Sequence, residues 1–475
     1  MHLAPAHDGL WSPHRRALTI GLVLTITLVA FEALAVSTVM PQVARELGGI
    51  ELYGWVFSAF FLGSLVGIVV VGGAIDRRGL ARPFALGLGL FGLGLLVGGL
   101  APSMPVLVGA RFIQGLGAGT IPPIAIVAIG RSLPEGLRPR MFATMSTAWI
   151  LPGVLGPAIA ATIGQALSWR YVFLGLLPLI AVAGALTLGA LRDVVAAPAN
   201  EDAEARASAS NRARLPLAIQ VAAGAGLVTA GLTSGEPLPT VVLIGLGLPI
   251  GIHALRRLTP PGTLRARPVL PAAILLRGLL TFMFFGFDAF VPLALVEWRG
   301  VSLTESGIAL TAATVVWTAG SWTQARGASR WPSFRFVQVG FAVALAGLAG
   351  FMLVLREDVT WLVAIPMFAV AGFGMGLSYS PTALIVLREA TPEMQGSVSS
   401  AMSLTDSLGT ALGTGVTGAI VAAGIRSNGH PVPGLAVGFA VALAVGVCGL
   451  LLTGRLRHRQ PVEAATASAT ATPAA

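Results

Sequence analysis

The sequence predicts an all-α polytopic membrane protein, in which two pseudo-symmetric six-helix bundles are accompanied by two additional central helices. Three observations predict this fold class: an apolar composition, long apolar segments along the whole chain, and an alternation of arginines between successive loops. Apolar residues make up 55% of the 475 residues, charged residues make up 11%, and the mean hydropathy is +0.83. A water-soluble chain with so few charged residues could not cover its own surface.

Apolar segments of membrane-spanning length recur along the chain. A hydrocarbon core about 30 Å thick requires roughly 20 apolar residues per helix, and each span must satisfy its own backbone hydrogen bonds. Windows of this length predict fourteen spans, at about 17–40, 53–75, 83–101, 105–130, 141–164, 171–191, 215–233, 238–255, 270–297, 304–324, 335–355, 359–387, 396–424 and 434–454. The 60 glycines are typical of closely packed membrane helices.

The arginine positions predict the orientation of the spans. All 30 basic residues are arginines. If both termini are cytoplasmic, the loops on that side hold 23 arginines and the outer loops hold five, while Arg111 and Arg277 lie within spans. This bias follows the positive-inside rule. The net charge of +10 is therefore interpreted as a topology signal of a plasma-membrane protein, and no nucleic-acid partner is expected.

Polar segments divide the chain into regions. Residues 193–214 are polar and rich in Ala and Ser, and residues 256–268 form a second polar joint. The predicted organisation is an N-terminal six-helix bundle at 1–192, polar linkers with two extra helices at 193–268, a C-terminal six-helix bundle at 269–460 and a disordered cytoplasmic tail at 461–475.

The two halves carry related loops. The segment "GGAIDRRGLAR" at 72–82 follows the second span, and "GSWTQARGASR" at 320–330 follows the tenth. The matching positions are Gly72 and Gly320, Arg78 and Arg326, Gly79 and Gly327, and Arg82 and Arg330, with Gln324 in place of Asp76. Internal repeats of this kind are typical of secondary transporters, whose substrate sites lie between the repeats near the bilayer midplane.

The first copy resembles the loop between the second and third helices of the major facilitator superfamily. The resemblance is carried by Gly72, Asp76, Arg77, Gly79 and Arg82. Leu80 stands where the family usually has a basic residue. The resemblance implies a gating motif, in which the glycines permit a tight turn and Asp76 caps a helix or pairs with an arginine.

Two further segments resemble motifs of the same family. "RFIQGLGAG" at 111–119 is similar to the Arg-x-x-Gln-Gly-x-Gly motif of the fourth helix. "PGVLGP" at 152–157 resembles the antiporter motif of drug/proton exchangers through Gly153, Gly156 and Pro157, although Ala160-Ala161 replaces the usual Gly-Gly. With fourteen predicted spans, the chain resembles the drug/proton antiporter branch that carries fourteen helices, and this resemblance implies antiport.

Single acids lie inside apolar spans at three positions. Glu32 in "FEALAV" and Asp288 in "FDAFVP" occupy the first helix of each half, roughly 24–26 Å from the cytoplasmic boundary at about 1.5 Å per residue. Burial disfavours the charged form of a carboxyl group, so each is expected to exchange protons at cellular pH and to attract a cation when ionised. Arg111 lies at a comparable depth and could pair with Glu32, because an unpaired arginine in a span is costly. Extension of the Arg111 side chain to the outer surface is the alternative. For the third acid, Asp406, coupling and a structural hydrogen bond are the two interpretations.

Side chains in the spans also supply a candidate lining for an apolar substrate cavity. These candidates are Gln114, Trp149, Phe284, Trp317 and Tyr379. Ordinary helix packing is the alternative interpretation for each aromatic residue.

Together these patterns predict a proton-coupled transporter that exports amphipathic or cationic small molecules by alternating access between two bundles. A proton symporter for a small nutrient is one alternative, although such sites usually place more Asn, Gln and Arg in the spans. A lipid-translocating membrane protein is the other alternative. The sequence contains no catalytic triad, phosphate loop or metal cluster, so neither an enzyme nor a cofactor is predicted. The expected partners are the substrate, protons and the lipid bilayer, with a monomeric chain.

Overall fold

The computed structural model is helical throughout its regular secondary structure and describes residues 9–13, 15–134, 137, 140–141, 144–145, 148–192, 201–328, 330–390 and 395–457. Within those ranges, the side chains of 72–74, 76–78, 130, 150, 201–212, 387 and 395–397 are outside the description. The tail expected to be disordered at 461–475 also lies outside the described residues.

The first six predicted spans form the N-terminal bundle. Its helices are α1 (Arg16–Leu47), α2 (Tyr53–Arg78), α3 (Ala81–Gly99), α4 (Met104–Ala118), α5 (Ile121–Ser132), α6 (Ile150–Ala166), α7 (Arg170–Leu174) and α8 (Leu176–Arg192). The fourth span is divided into α4 and α5 just before Pro122 and Pro123. Because proline has no backbone N–H, these two residues cannot continue the hydrogen bonds of α4.

Two helices, α9 (Glu201–Ser234) and α10 (Pro237–Leu258), form the central pair. They pack on each other through glycines, and a Cβ atom at Gly224 would lie only 2.6 Å from the backbone nitrogen of Gly251. Such contacts are usual between membrane helices. On the far side of α10, Leu238 and Val241 are 75% and 70% exposed, which suits a helix that faces lipid.

The C-terminal bundle repeats the plan of the first six spans. Its helices are α11 (Leu270–Asp288), α12 (Leu303–Gly327), α13 (Ser333–Phe351), α14 (Ala364–Glu389), α15 (Gln395–Asn428) and α16 (Val432–Leu452). After α11 the chain continues through a helical turn, Val291–Leu293, and a π-helical turn, Ala294–Trp298.

The two bundles meet along two pairs of helices: α2 packs on α15, and α6 packs on α12. A Cβ atom at Gly54 would lie 2.7 Å from the Cα atom of Gly418, so the backbones of α2 and α15 are in contact there. Ser58 Oγ is 2.7 Å from the carbonyl oxygen of Ala411, to which it donates a hydrogen bond. Helix α9 of the central pair packs against both α2 and α15 and therefore lies beside this seam.

One end of the seam is closed by polar contacts. Arg45, near the end of α1, donates from Nε to Glu297 Oε1 over 2.6 Å. Gln165 of α6 donates to Thr304 Oγ1 over 3.4 Å. Ser58, on the second turn of α2, also hydrogen-bonds across the seam toward this end, where α1 terminates.

The prediction of fourteen spans is not confirmed by the lengths and composition of the helices. Twelve helices among the described residues are long and apolar enough to cross a membrane. In the described part of the predicted fifth span, there is a shorter apolar helix, Leu151–Ala166. The predicted tenth span corresponds to α12, which carries Glu305 and Arg326 near its ends together with several Ser and Thr residues.

Candidate functional site

The N-terminal bundle contains a buried ion pair at the position that the sequence predicted. Arg111 on α4 donates from Nη1 to Glu32 Oε1 on α1, and to Gln114 Oε1, which lies one turn further along α4. Its Nε donates to the carbonyl oxygen of Val56 over 3.1 Å, and its guanidinium carbon lies 4.3 Å from the centre of the Phe60 ring. The side chains of Arg111 and Glu32 are 3% and 0% exposed. The arginine therefore pairs inside the bundle instead of extending to the membrane surface.

This pair leaves one oxygen of the acid without a partner. Glu32 Oε2 and Gln114 Nε2 are buried and make no hydrogen bond with the described residues. A buried carboxylate oxygen without a donor is a place where a proton can be held. The side chain of Glu32 is 0% exposed, so it is not accessible in this conformation.

The C-terminal bundle contains a second network, centred on Asp406 of α15. Arg277 on α11 donates from Nε to Asp406 Oδ1 over 2.8 Å, and the hydroxyl group of Tyr379 on α14 donates to Asp406 Oδ2 over 3.1 Å. Arg277 Nη1 also donates to Thr382 Oγ1 over 3.0 Å, and the guanidinium lies on the face of the Tyr379 ring. The side chain of Asp406 is 27% exposed, so this network is open on one side.

Sequence reasoning did not find the role of Arg277. It lies 129 residues from Asp406, and nothing in the local pattern of either helix indicates that the two meet. A signal was nevertheless present, because an arginine within a span needs an acidic or polar partner. The same rule that predicted the partner of Arg111 applies to Arg277.

Asp288 is the last residue of α11 and lies in a different environment from the other two acids. It is half-buried, and it makes no hydrogen bond or ion pair with the described residues. The π-helical turn Ala294–Trp298 follows within two turns. Because π-helical turns occur frequently at functional sites, Asp288 is a candidate for a carboxylate that binds a ligand.

Aromatic rings form a row that connects the bundles and ends at Asp406. Phe61 of α2 and Phe285 of α11 have ring centres 6.4 Å apart. Phe285 contacts Phe284, which contacts Trp317 of α12 with 5.5 Å between ring centres, and Trp317 contacts Tyr379 at the same distance. We call these five residues the aromatic row.

The structure distinguishes among the predicted cavity residues. Trp149 is 47% exposed at the start of α6, and Trp317 and Tyr379 are half-buried. Phe284 is 2% exposed and Gln114 is fully buried, so in this conformation neither one lines an open cavity. Phe284 instead packs edge to face against the ring of Trp317, and Gln114 accepts a hydrogen bond from Arg111.

The predicted gating motif is described in part. Gly79 ends α2 with a left-handed backbone, φ +68°, which explains why glycine is required at that position. Arg82 is exposed on the first turn of α3. The side chains of Gly72, Asp76 and Arg77 lie outside the described residues, so the proposed contacts of Asp76 remain a prediction.

The segment that resembles the antiporter motif lies at a contact between the bundles. On α6, Gly153 faces Thr314 of α12, and Pro157 packs against Gly307 of the same helix. Gly156 faces α1, where the nearest side chain is Phe31, 3.7 Å from a Cβ atom built at Gly156. The motif therefore lies where α6 contacts both its own bundle and the opposite one.

The described residues contain no group of three or more His, Cys, Asp or Glu that could hold a metal ion. The single cysteine, Cys448, is exposed on α16.

Comparison with known proteins gives consistent matches. A probable multidrug-efflux transporter of Mycobacterium tuberculosis is 26% identical over 437 residues, which cover 89% of this chain and 91% of that protein. The methylenomycin A resistance protein of Streptomyces coelicolor is 24% identical over 458 residues, which cover 95% of this chain and 94% of that protein.

Two solved structures share the fold over almost the whole chain. An auto-inhibited POT family peptide transporter superposes with a TM-score of 0.68 at 16% identity, covering 94% of this chain and 98% of the transporter. The E. coli xylose transporter XylE, in a partially occluded inward-open conformation, superposes with a TM-score of 0.63 at 15% identity, covering 93% and 97%. Residues 22–414 match the family described as Major Facilitator Superfamily, and the chain therefore belongs to this superfamily of membrane transporters.

Proposed function

We propose that this protein is a proton-coupled exporter of amphipathic or cationic small molecules, and that it works by alternating access. The observation that carries the proposal is the half-exposed Asp406 at the end of the aromatic row. An amphipathic molecule can place its apolar part on the rings, and its positive charge is attracted to the ring faces and to the carboxylate. The row has members on both bundles, so a bound molecule would contact both.

The relatives support export of drug-like compounds. Two proteins that match nearly the whole chain are named for multidrug efflux and for resistance to methylenomycin A. The peptide and xylose transporters match at 16% and 15% identity, so they support the fold of this chain but say nothing about its substrate. A symporter for a small nutrient is therefore less well supported than an exporter.

Exchange would follow from the contacts of Asp406. When ionised, its two oxygens accept hydrogen bonds from Arg277 and Tyr379, and a substrate cation can compete for the same carboxylate. When protonated, the carboxyl group no longer attracts the cation, which is released. One group that serves the proton and the cation in turn makes the two exclude each other, as antiport requires.

The other two acids have distinct proposed roles. Asp288 is half-buried and has no partner among the described residues, and we assign it a second site for a proton or a cation. Glu32 would contribute only when the bundles move and its pair with Arg111 opens. In this proposal all three acids take part in proton coupling, and the acids of the C-terminal bundle act before Glu32.

The closed end of the seam defines the conformation under the proposed orientation. With both termini in the cytoplasm, α1 ends at the outer surface, so the contacts of Arg45 and Gln165 close the outer side. The protein would then receive its substrate from the cytoplasm, as an exporter must. We propose the plasma membrane as its location and a single chain as the functional unit.

The proposal is tested by transport in proteoliposomes that contain the purified protein. We expect a lipophilic cation to accumulate on the acidic side of an imposed pH gradient. In the proposed orientation, this side corresponds to the outside of the cell. The Asp288→Asn and Asp406→Asn double variant should lose this accumulation, because both carboxylates proposed for coupling are removed. The variant Asp358→Asn, which changes an exposed acid near the end of α13, is the matched control.

Two outcomes would reject the proposal. Gradient-driven accumulation that is undiminished in the double variant would remove the acids from coupling. Co-transport of protons and substrate in the same direction would instead identify a symporter.

A further inference from the structure

A cavity of about 130 Å³ lies where the central helix pair meets both bundles. It is lined by Leu65 of α2, Pro123 of α5, Arg214 of α9, Leu258 of α10 and Leu404 of α15. The lining is therefore apolar except for Arg214 and Ser400.

Among the described residues, the arginine in this cavity has no anionic partner. Arg214 is half-buried and makes no hydrogen bond or ion pair with the described residues. The other arginines buried among the spans, Arg111 and Arg277, each have a carboxylate partner. A guanidinium partly removed from water without an anion is unfavourable, so the site is incomplete without a negatively charged ligand.

The level of the cavity in the membrane indicates which anion is available. Residues 193–214 are polar, and the apolar part of α9 begins at Leu215, directly after Arg214. Leu258 is the last residue of the candidate span Pro237–Leu258. The cavity therefore lies at the boundary of the hydrocarbon core, where lipid phosphate groups are found. Basic pockets between membrane helices on the cytoplasmic side are known to bind acidic lipid head groups.

We propose that this cavity binds an anionic phospholipid. The lipid phosphate would accept hydrogen bonds from the Arg214 guanidinium, which matches phosphate oxygens in a two-point geometry. The first part of an acyl chain would lie against Leu65, Leu258 and Leu404. This inference does not depend on the transported substrate. Because α9, α2 and α15 all contribute to the wall, the lipid would connect the central pair to both bundles.

The purified full-length protein in detergent tests the proposal by native mass spectrometry and thermal unfolding. Phosphatidylglycerol, phosphatidylcholine and inorganic phosphate are titrated separately. We expect the wild type to retain phosphatidylglycerol in preference to phosphatidylcholine and to unfold at a higher temperature when it is present. Arg214→Ala should weaken the apparent affinity for phosphatidylglycerol by roughly tenfold to a hundredfold, the range for a charge-assisted hydrogen bond.

Two further variants separate the charge from the cavity. Arg257→Ala removes an exposed arginine at the same end of α10 and should leave the affinity for phosphatidylglycerol unchanged. Leu404→Trp keeps the charge but fills the cavity, so it should also weaken retention of the lipid.

The proposal is wrong if Arg214→Ala and Leu404→Trp both bind phosphatidylglycerol as the wild type does. Equal losses in Arg214→Ala and Arg257→Ala would show only general attraction of the basic surface for acidic lipid. If inorganic phosphate stabilises the wild type as much as phosphatidylglycerol does, the site recognises a soluble anion and not a lipid.

Discussion

The two bundles each contain an arginine that pairs with an acid, but the two pairs differ in their access to solvent. Arg111 and Glu32 are 3% and 0% exposed, whereas Arg277 and Asp406 are 6% and 27% exposed. The arginines are thus equally enclosed, and the difference lies in the acids. The first pair joins α1 to α4 within its bundle, while Asp406 lies on α15, the helix that meets α2 of the opposite bundle.

The difference teaches that a buried charge in a membrane helix has no single role. When a buried pair is closed to solvent, the loss of one partner mainly lowers the stability of the protein. An accessible pair can exchange one partner for a ligand. On this basis we expect the N-terminal pair to affect folding most and the C-terminal pair to affect transport most.

The largest expected effect is on folding. Arg111→Ala should lower the free energy of unfolding by about 3–5 kcal/mol, because it leaves Glu32 as an unpaired buried charge. Arg277→Ala should cost less, because water can reach Asp406. Unfolding in detergent, followed by circular dichroism, measures both values.

The control for this comparison is Arg45→Ala, which removes an exposed pair with Glu297 and should change stability by only about 0–1 kcal/mol. Combining Arg111→Ala with Glu32→Gln should recover part of the loss. If Arg277→Ala destabilises the protein as much as Arg111→Ala, the distinction between a sealed and an open pair is wrong.

An intermediate effect is expected for chemical modification of the acids. An apolar carbodiimide should modify Asp406 faster than Glu32, and a bound lipophilic cation should protect Asp406. Because Glu32 reacts only after local opening, the rates should differ tenfold or more if opening costs about 1.4 kcal/mol or more. Peptide mass spectrometry over time gives both rates. Faster modification of Glu32 would contradict the assigned access.

The smallest effect is expected for Tyr379→Phe. This change removes the hydrogen bond to Asp406 Oδ2 but keeps the ring beside Arg277 and Trp317. The loss of one hydrogen bond, about 0.5–1.5 kcal/mol, should alter proton-coupled transport roughly twofold to tenfold. Initial transport rates are measured at several external pH values for Tyr379→Phe and for Tyr171→Phe. The second variant is the matched control, because Tyr171 is exposed. Identical pH profiles for the two variants would exclude the hydrogen bond from coupling.

The fold was largely predictable from the sequence because hydropathy and loop arginines depend on the membrane and not on details of packing. The Glu32–Arg111 pair was predictable for the same reason, since each residue lies alone inside an apolar span at a comparable depth. The count of fourteen spans stays unconfirmed, because α12 and the described part of the predicted fifth span are not among the helices that are long and apolar enough to cross a membrane.

Tertiary contacts determine the remaining parts of the candidate site. The pairing of Arg277 with Asp406 depends on the relative rotation of α11 and α15, which no local pattern contains. Likewise, Phe284 and Trp317 are both aromatic residues inside predicted spans, yet packing buries the first and leaves the second half-buried. The cavity at Arg214 requires five helices from three regions of the chain to converge.

The contact between Gly54 and Gly418 has a mechanical consequence. The two backbones touch near one end of α2, and the rest of that helix, from Gly54 to Arg78, is roughly 36 Å long at about 1.5 Å per residue. A fulcrum at one end turns the helix into a long lever arm. A tilt of about 10° around the glycines would move the far end by roughly 6 Å over that length. A rotation small enough to preserve the glycine contact would therefore displace the opposite surface by about the width of an aromatic ring.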